Sequence, residues 1–150
     1  MTVATRRATV VWEGDLRTGS GVVDAGSGAF DSLPVSFTQR LESESETTSP
    51  EELIAAAHAA CYAMSLSNTI AANGSQPERL EVSASCDLDR TAEGLTIKAV
   101  HLDVRGNVQE AFRELALKAE QRCPVSNALR PSVAIDVTAE LVNGEGQPKP

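Results

Sequence analysis

Three cysteines are the side chains in this sequence best suited to covalent chemistry: Cys61, Cys86 and Cys123. A thiolate attacks electrophilic oxygen, sulfur or carbonyl carbon, and two thiols that meet can form and break a disulfide. Their surroundings differ. Cys86 falls on the apolar side of an alternating run with Leu80, Val82, Ala84 and Leu88, and reads as a small buried hydrophobe. Cys61 stands among alanines in a long helix-forming stretch, a setting in which a cysteine is more often structural than reactive. Cys123 precedes Pro124 where a new helix starts, so its thiol meets the positive end of a helix dipole, which favours the thiolate. His58 lies three residues before Cys61, on about the same helical face. It reads either as a partner for that thiol or as a buried, hydrogen-bonded imidazole. His101 lies in a strand whose alternation shifts phase and has no assignable role. The cysteines alone leave the function open.

The elements that must position these residues follow from pattern and punctuation. Residues 8–12, 21–23 and 35–41 read as short strands, set apart by Glu13-Gly14-Asp15 and a glycine-punctuated stretch. A polar connection, 42–48, leads to one predicted helix from Ser49 to about Asn73. Ser49 is its N-cap, Pro50 its first residue, Glu52 a capping-box partner, and Gly74 its stop. Apolar residues spread around most of its circumference, so it should be enclosed by protein. Strands over 80–89 and 95–104, an amphipathic helix from about Gln109 to Gln121, a short helix from Pro124 and a strand over 133–141 follow. Residues 1–142 form one expected domain, and 143–150 an expected disordered tail. This order predicts an α+β fold, with a mostly antiparallel sheet packed on the long central helix.

Composition narrows the function classes. The net charge of −8 and the scattered Lys and Arg exclude a phosphate-binding surface, so nucleic acid is not an expected partner. Aromatic residues make up 3%, which demands an aliphatic, alanine-rich core. Nothing near Met1 reads as a signal peptide, and no apolar run predicts a membrane span. Three widely spaced cysteines do not suggest a secreted disulfide framework. A cytoplasmic protein is expected, a compartment in which a disulfide is more often catalytic than structural.

Three motifs carry a family resemblance. They are the run Pro50-Glu51-Glu52-Leu53-Ile54-Ala55-Ala56-Ala57-His58-Ala59-Ala60-Cys61-Tyr62-Ala63-Met64-Ser65-Leu66, the run Cys123-Pro124-Val125-Ser126, and Trp12-Glu13-Gly14-Asp15 with Gly19 and Gly21. In this order, over residues 8–141, they resemble the OsmC/Ohr superfamily, named for osmotically inducible protein C and for organic hydroperoxide resistance. The opening motif is similar to the OsmC branch. The resemblance implies an OsmC-like fold, an intertwined homodimer, and a thiol peroxidase that reduces organic hydroperoxides in defence against oxidative stress. It makes Cys61 the peroxidatic cysteine, Cys123 the resolving cysteine, and Glu51 the acidic residue of the active site. It also calls for an arginine. The Ohr branch takes this from the first hairpin, where Arg17 stands, and the OsmC branch from the strand before the long helix, where Arg40 stands. Arg40 is the expected residue. A dithiol, lipoyl-bearing or thioredoxin-like, is the implied reductant, and neither metal nor organic cofactor is implied.

The chemistry explains those residue types. An ordinary thiol, with a pKa of about 8.5, is only slightly ionised at neutral pH, and burial makes ionisation harder. A guanidinium stays charged and donates several hydrogen bonds to sulfur and peroxide oxygen, and a carboxylate fixes its orientation. Glu52 is occupied by capping, which leaves Glu51 for Arg40. Geometry adds a condition. In one straight helix, residues ten apart lie about 15 Å apart along the axis and some 80° apart around it. With no glycine or proline between them, Glu51 and Cys61 are expected to meet only across a two-fold dimer, Glu51 acting in trans. Two alternatives are a Cys-His hydrolase using Cys61 and His58, for which no glycine-rich turn supplies an oxyanion hole, and a non-enzymatic small-ligand or metal-binding module using Cys61, His58 and Cys123.

Overall fold

The computed structural model describes residues 1–108 and 111–149, so the first residues of the helix expected from Gln109, and Pro150, lie outside the described residues. The chain forms two compact units, Met1–Leu53 and Ile54–Pro150.

In the first unit, β1 (Ala8–Glu13), β2 (Ser20–Ala25) and β3 (Leu33–Val35) form an antiparallel sheet in that order. The turn between β1 and β2 is organised by Asp15. Its carboxylate accepts the backbone N–H groups of Arg17 and Thr18, at 2.8 and 2.9 Å, and the Thr18 hydroxyl at 2.6 Å. Gly19 closes this turn so tightly that a Cβ would lie 2.4 Å from the carbonyl oxygens of both Glu13 and Asp15.

The strand expected over 35–41 is corrected. β3 ends at Val35, and Phe37–Arg40 form a single helical turn, α1. Ser36 is the reason: its backbone is extended, and its hydroxyl accepts the Gln39 N–H at 3.1 Å. A satisfied N-cap outweighs the β preference of the residues around it. Arg40 is therefore in the last turn of a short helix rather than in a strand. The Thr38 hydroxyl ties α1 back to the Arg17 carbonyl at 3.1 Å.

The long helix, α2, spans Pro50–Ala72 without a break. The Ser49 hydroxyl accepts the Glu52 N–H at 3.1 Å, as the cap predicts. The reciprocal half of the capping box is not made, because the Glu52 carboxylate takes the Thr48 hydroxyl at 2.9 Å. Gly74, at φ +84°, ends the helix in the left-handed region. One face of α2 buries His58, Tyr62, Leu66, Thr69 and Ile70. Another is open: Ala56, Ala57, Ala60, Ser67, Asn68 and Ala71 are exposed, and Met64 is 73% exposed. The enclosure expected for this helix is thus not completed within one chain.

The second unit carries β4 (Leu80–Thr91), β5 (Gly94–Gly106), α3 (Phe112–Arg122), α4 (Pro124–Leu129) and β6 (Ala134–Leu141). β4 and β5 pair antiparallel, whereas β5 and β6 pair parallel, since α3 and α4 carry the chain back before β6 begins. Between Asp87 and Leu88 the register slips, pairing Asp87 with Ala99 and Leu88 with Ile97, so Lys98 is the extra residue of a bulge. That bulge is the phase shift seen in the β5 sequence. It turns Val100, Leu102 and Val104 inward and His101 outward. There His101 contacts both Asp87, 3.0 Å from Nε2, and Asp136, at Nδ1. The core joins Tyr62, Leu66 and Ile70 of α2 to Leu102, Val104 and Phe112, and is otherwise aliphatic, as the composition requires. Beyond β6 the chain folds back: Asn143 donates to the Gln147 carbonyl at 2.7 Å, and Lys149 to that of Leu141 at 3.0 Å.

Candidate active site

Arg40 and Glu51 meet in the first unit. The Arg40 Nε donates to both carboxylate oxygens, at 3.2 and 3.0 Å, and Nη2 donates to Oε1 at 2.5 Å. This fork fixes the plane of the guanidinium. Burial alone pushes the Glu51 carboxyl up and is the largest single influence on it. The Arg40 hydrogen bonds and charge, helped by its own backbone N–H and Ser49, outweigh it and hold Glu51 below the ordinary carboxylate range. The Glu51 side chain is 9% exposed and that of Arg40 26%, so the cation keeps an accessible side. Beside it opens an apolar cavity of about 470 Å³, with Val10, Trp12, Leu16, Val35 and Phe37 among its walls. Trp12 is 40% exposed at this cavity. The alternative arginine, Arg17, is exposed on the hairpin, and it is its backbone carbonyl that helps to hold α1.

Cys61 and Cys123 meet in the second unit. Both are free thiols; Cys61 is half-buried on α2 and Cys123 is fully buried as the N-cap residue of α4. Burial pushes the Cys61 thiol above its ordinary value. The Val125 backbone N–H, which donates to it, works the other way, while the hydrogen bond and charge of Cys123 reinforce the rise. A nucleophile in this setting needs a further cation to ionise at neutral pH. Cys86, opposite Val100 on the inward face of β4, is half-buried.

His58 contacts neither thiol through its ring nitrogens. Its Nε2 lies 2.7 Å from the Ser126 hydroxyl, and its buried Nδ1 has no hydrogen-bond partner among the described residues. Burial pushes the imidazole below its ordinary value, against the opposing pull of Glu120. Two further bonds join α2 to α3: the Tyr62 hydroxyl donates to the Ala116 carbonyl at 2.9 Å, and the Ser65 hydroxyl to that of Ala119 at 2.8 Å. Arg130, just past α4, donates to the Glu120 carboxylate at 2.5 Å and closes the α3–α4 hairpin.

The sequence pattern of OsmC-like proteins matches residues 43–138. The chain is 37% identical over 129 residues to peroxiredoxin OsmC of Escherichia coli, covering 83% of this chain and 90% of that protein. This chain belongs to the OsmC family. Solved OsmC-family folds superpose on it closely. The organic hydroperoxide resistance protein OsmC of Legionella pneumophila matches with a TM-score of 0.77 at 25% identity, over 93% of this chain and 98% of that one. An organic hydroperoxide resistance protein of Elizabethkingia anophelis shares the fold at a TM-score of 0.75 and 24% identity, over 92% and 96% of the two chains.

In this OsmC chain the four residues singled out from the sequence form two pairs, Arg40 with Glu51 and Cys61 with Cys123. Ser126, Val125 and Ser65 were given no role from the sequence, and the Tyr62 hydroxyl no partner. Ser126 stood within the quoted second motif, and the spacing of His58, Tyr62 and Ser65 on one helical face was visible. Which partner each would find was not.

Proposed function

We propose that this OsmC protein is a cysteine-based peroxidase that reduces organic hydroperoxides to alcohols, with Cys61 attacking and Cys123 resolving. The observation that carries the reading is the contact between those two thiols where α4 meets α2, in a chain so similar to a peroxiredoxin. The Cys61 thiolate attacks the terminal oxygen of the hydroperoxide: an S–O bond forms, the O–O bond breaks, and the alkoxide takes a proton to leave as alcohol. Cys61 is now a sulfenic acid. Cys123, having lost its proton, attacks that sulfur; the S–S bond forms and the S–O bond breaks, releasing water. A lipoyl or thioredoxin-like dithiol reduces the disulfide, and the cycle runs in the cytoplasm.

Arg40, oriented by Glu51, ionises Cys61 and polarises the peroxide. The apolar cavity beside Arg40 takes the organic part of the substrate, which favours an alkyl or aryl hydroperoxide over hydrogen peroxide. Two observations support action in trans within a homodimer. α2 is unbroken from Pro50 to Ala72, so its own axis separates Glu51 from Cys61 by about 15 Å. Its open face carries Ala56, Ala57, Ala60 and Ala71, small residues that allow a second helix to approach closely. Joint refolding of Glu51→Ala with Cys61→Ser tests this. Heterodimers regain one working site of two, and since about half of the dimers are mixed, about a quarter of wild-type turnover is the most that mixing supplies. No recovery would return Glu51 to its own chain. Steady-state turnover with cumene hydroperoxide and with hydrogen peroxide, each with a dithiol reductant, tests the substrate class.

A further inference from the structure

We infer that His58 and Ser126 are a positioning pair that holds Cys123 in line with Cys61 for disulfide formation; the inference rests on the two-cysteine reading above. The geometry is a ladder with two rungs. His58 and Cys61 are three residues apart on α2 and share one helical face, while Cys123 is the N-cap residue of α4 and Ser126 lies in that helix's first turn. One rung joins Cys61 to Cys123 and to the Val125 N–H. The other is the 2.7 Å bond between His58 Nε2 and the Ser126 hydroxyl. A single rung would leave α4 free to pivot about it. The second removes that freedom and so sets the direction from which the Cys123 sulfur approaches.

Stability alone does not account for the pair. α4 has six residues, and Ser126 is the one fully buried residue within it. A short helix that needed only an anchor would be held as well by an apolar side chain, since replacing two buried hydrogen-bonding partners by apolar groups of similar shape is close to neutral. Instead the contact uses a buried hydroxyl and a fully buried imidazole whose Nδ1 has no partner among the described residues, an arrangement that costs desolvation. What it supplies in return is direction, because a hydrogen bond restricts angle where an apolar contact does not.

The two chemical steps depend on this direction differently. Attack on the peroxide requires the Cys61 thiolate and space for the substrate. Resolution requires two sulfurs to close to bonding distance in line with the departing oxygen, so a small misplacement of α4 falls mainly on the second step.

The test is quenched flow on the reduced full chain with cumene hydroperoxide. Sulfenic acid is trapped with dimedone to time the first step, and the Cys61–Cys123 disulfide is followed by mass spectrometry to time the second. Ser126→Ala and His58→Ala are expected to slow disulfide formation about tenfold while changing sulfenic acid formation less than about threefold. Excess peroxide should then drive Cys61 of these variants on to sulfinic acid. His58→Gln, which carries an N–H near the position of Nε2, should restore most of the rate. The double variant His58→Leu with Ser126→Ala should fold normally yet remain slow, which keeps the test decisive if His58→Ala does not fold. Wild-type disulfide formation in folded Ser126→Ala, equal slowing of both steps, or no recovery in His58→Gln overturns the inference. An unmodified protein that forms no Cys61–Cys123 disulfide overturns the two-cysteine reading itself, and this inference with it.

Discussion

Arg40 and Glu51 lie eleven residues apart and join through one short loop, whereas Cys61 and Cys123 meet only after β4, β5 and α3 have been built between them. The first pair is ionic, bidentate and partly exposed, and each partner strengthens the other's charge. The second pair joins a half-buried thiol to a fully buried one, and each component of its surroundings except the Val125 N–H makes the Cys61 charge harder to form. A locally assembled ion pair can be ready before the rest of the protein is folded. A thiol pair assembled by tertiary packing is precise in geometry but weak in reactivity until a cation is brought to it. Because one pair is held by local contacts and the other by the core, each can be broken without the other.

The largest expected effect removes the nucleophile. Cys61→Ser should abolish peroxide consumption, Cys123→Ser should allow one turnover and trap a sulfenic acid, and Cys86→Ser should stay within about twofold of wild type. A Cys86→Ser protein as inactive as Cys61→Ser would show that the wrong thiols have been paired.

Next comes the charge. Arg40→Ala should raise the Cys61 thiol pKa and slow its oxidation about a hundredfold, while Arg17→Ala changes either by no more than about twofold. The rate of thiol alkylation against pH reads this directly, and an unchanged pKa in Arg40→Ala would assign the cation to another residue.

A stability measurement sharpens the contrast between local and tertiary assembly. Leu66 is fully buried in the core that brings α2, α3 and β5 together. Leu66→Ala should cost about 2–5 kcal/mol in denaturant unfolding, enough to loosen the thiol pair. The Arg40–Glu51 pair, built from local contacts, should keep its geometry in the same variant wherever the protein remains folded. A loss below about 1 kcal/mol would mean that the core is not what holds the thiols.

The smallest effect lies on the outer face of the second sheet. Hydrogen bonds from His101 to Asp87 and to Asp136 raise the imidazole above its ordinary value. A group whose pKa is raised on folding contributes fully below its unfolded value, about 6.5 for histidine, and loses that contribution as pH climbs through the folded value. Wild type should therefore lose a little stability as pH rises above about 6.5, by less than about 1 kcal/mol because the cluster is solvent-screened. His101→Gln should lack that slope, and an identical slope in the variant would remove His101 from the account.

Much of the fold was legible because its signals are local. Ser49, Pro50 and Gly74 bracket α2, and the alternation of β4 and β6 marks their inward faces, since both features depend only on helix or strand geometry. The strand expected over 35–41 failed for an equally local reason, the Ser36 cap, which competes with β-branched propensity and wins. The His101 phase shift was visible as an irregularity, but its cause is the pairing between β4 and β5 around Lys98. No single strand reveals a register slip that exists only between two.

The sequence by itself determined the long helix and its ends, the alternating strands, and the cysteines that are candidate thiols, each a matter of residue type and short-range spacing; the pairing of Arg40 with Glu51 was expected from the family resemblance. Only the tertiary structure decided that the Cys61 thiol touches Cys123, that His58 turns to Ser126 rather than to a thiol, and that one face of α2 stays open within a chain. The physical reason is chain distance. His58 and Ser126 are 68 residues apart, and bringing them together requires closure of a loop whose entropy is recovered only by the whole core that folds between them.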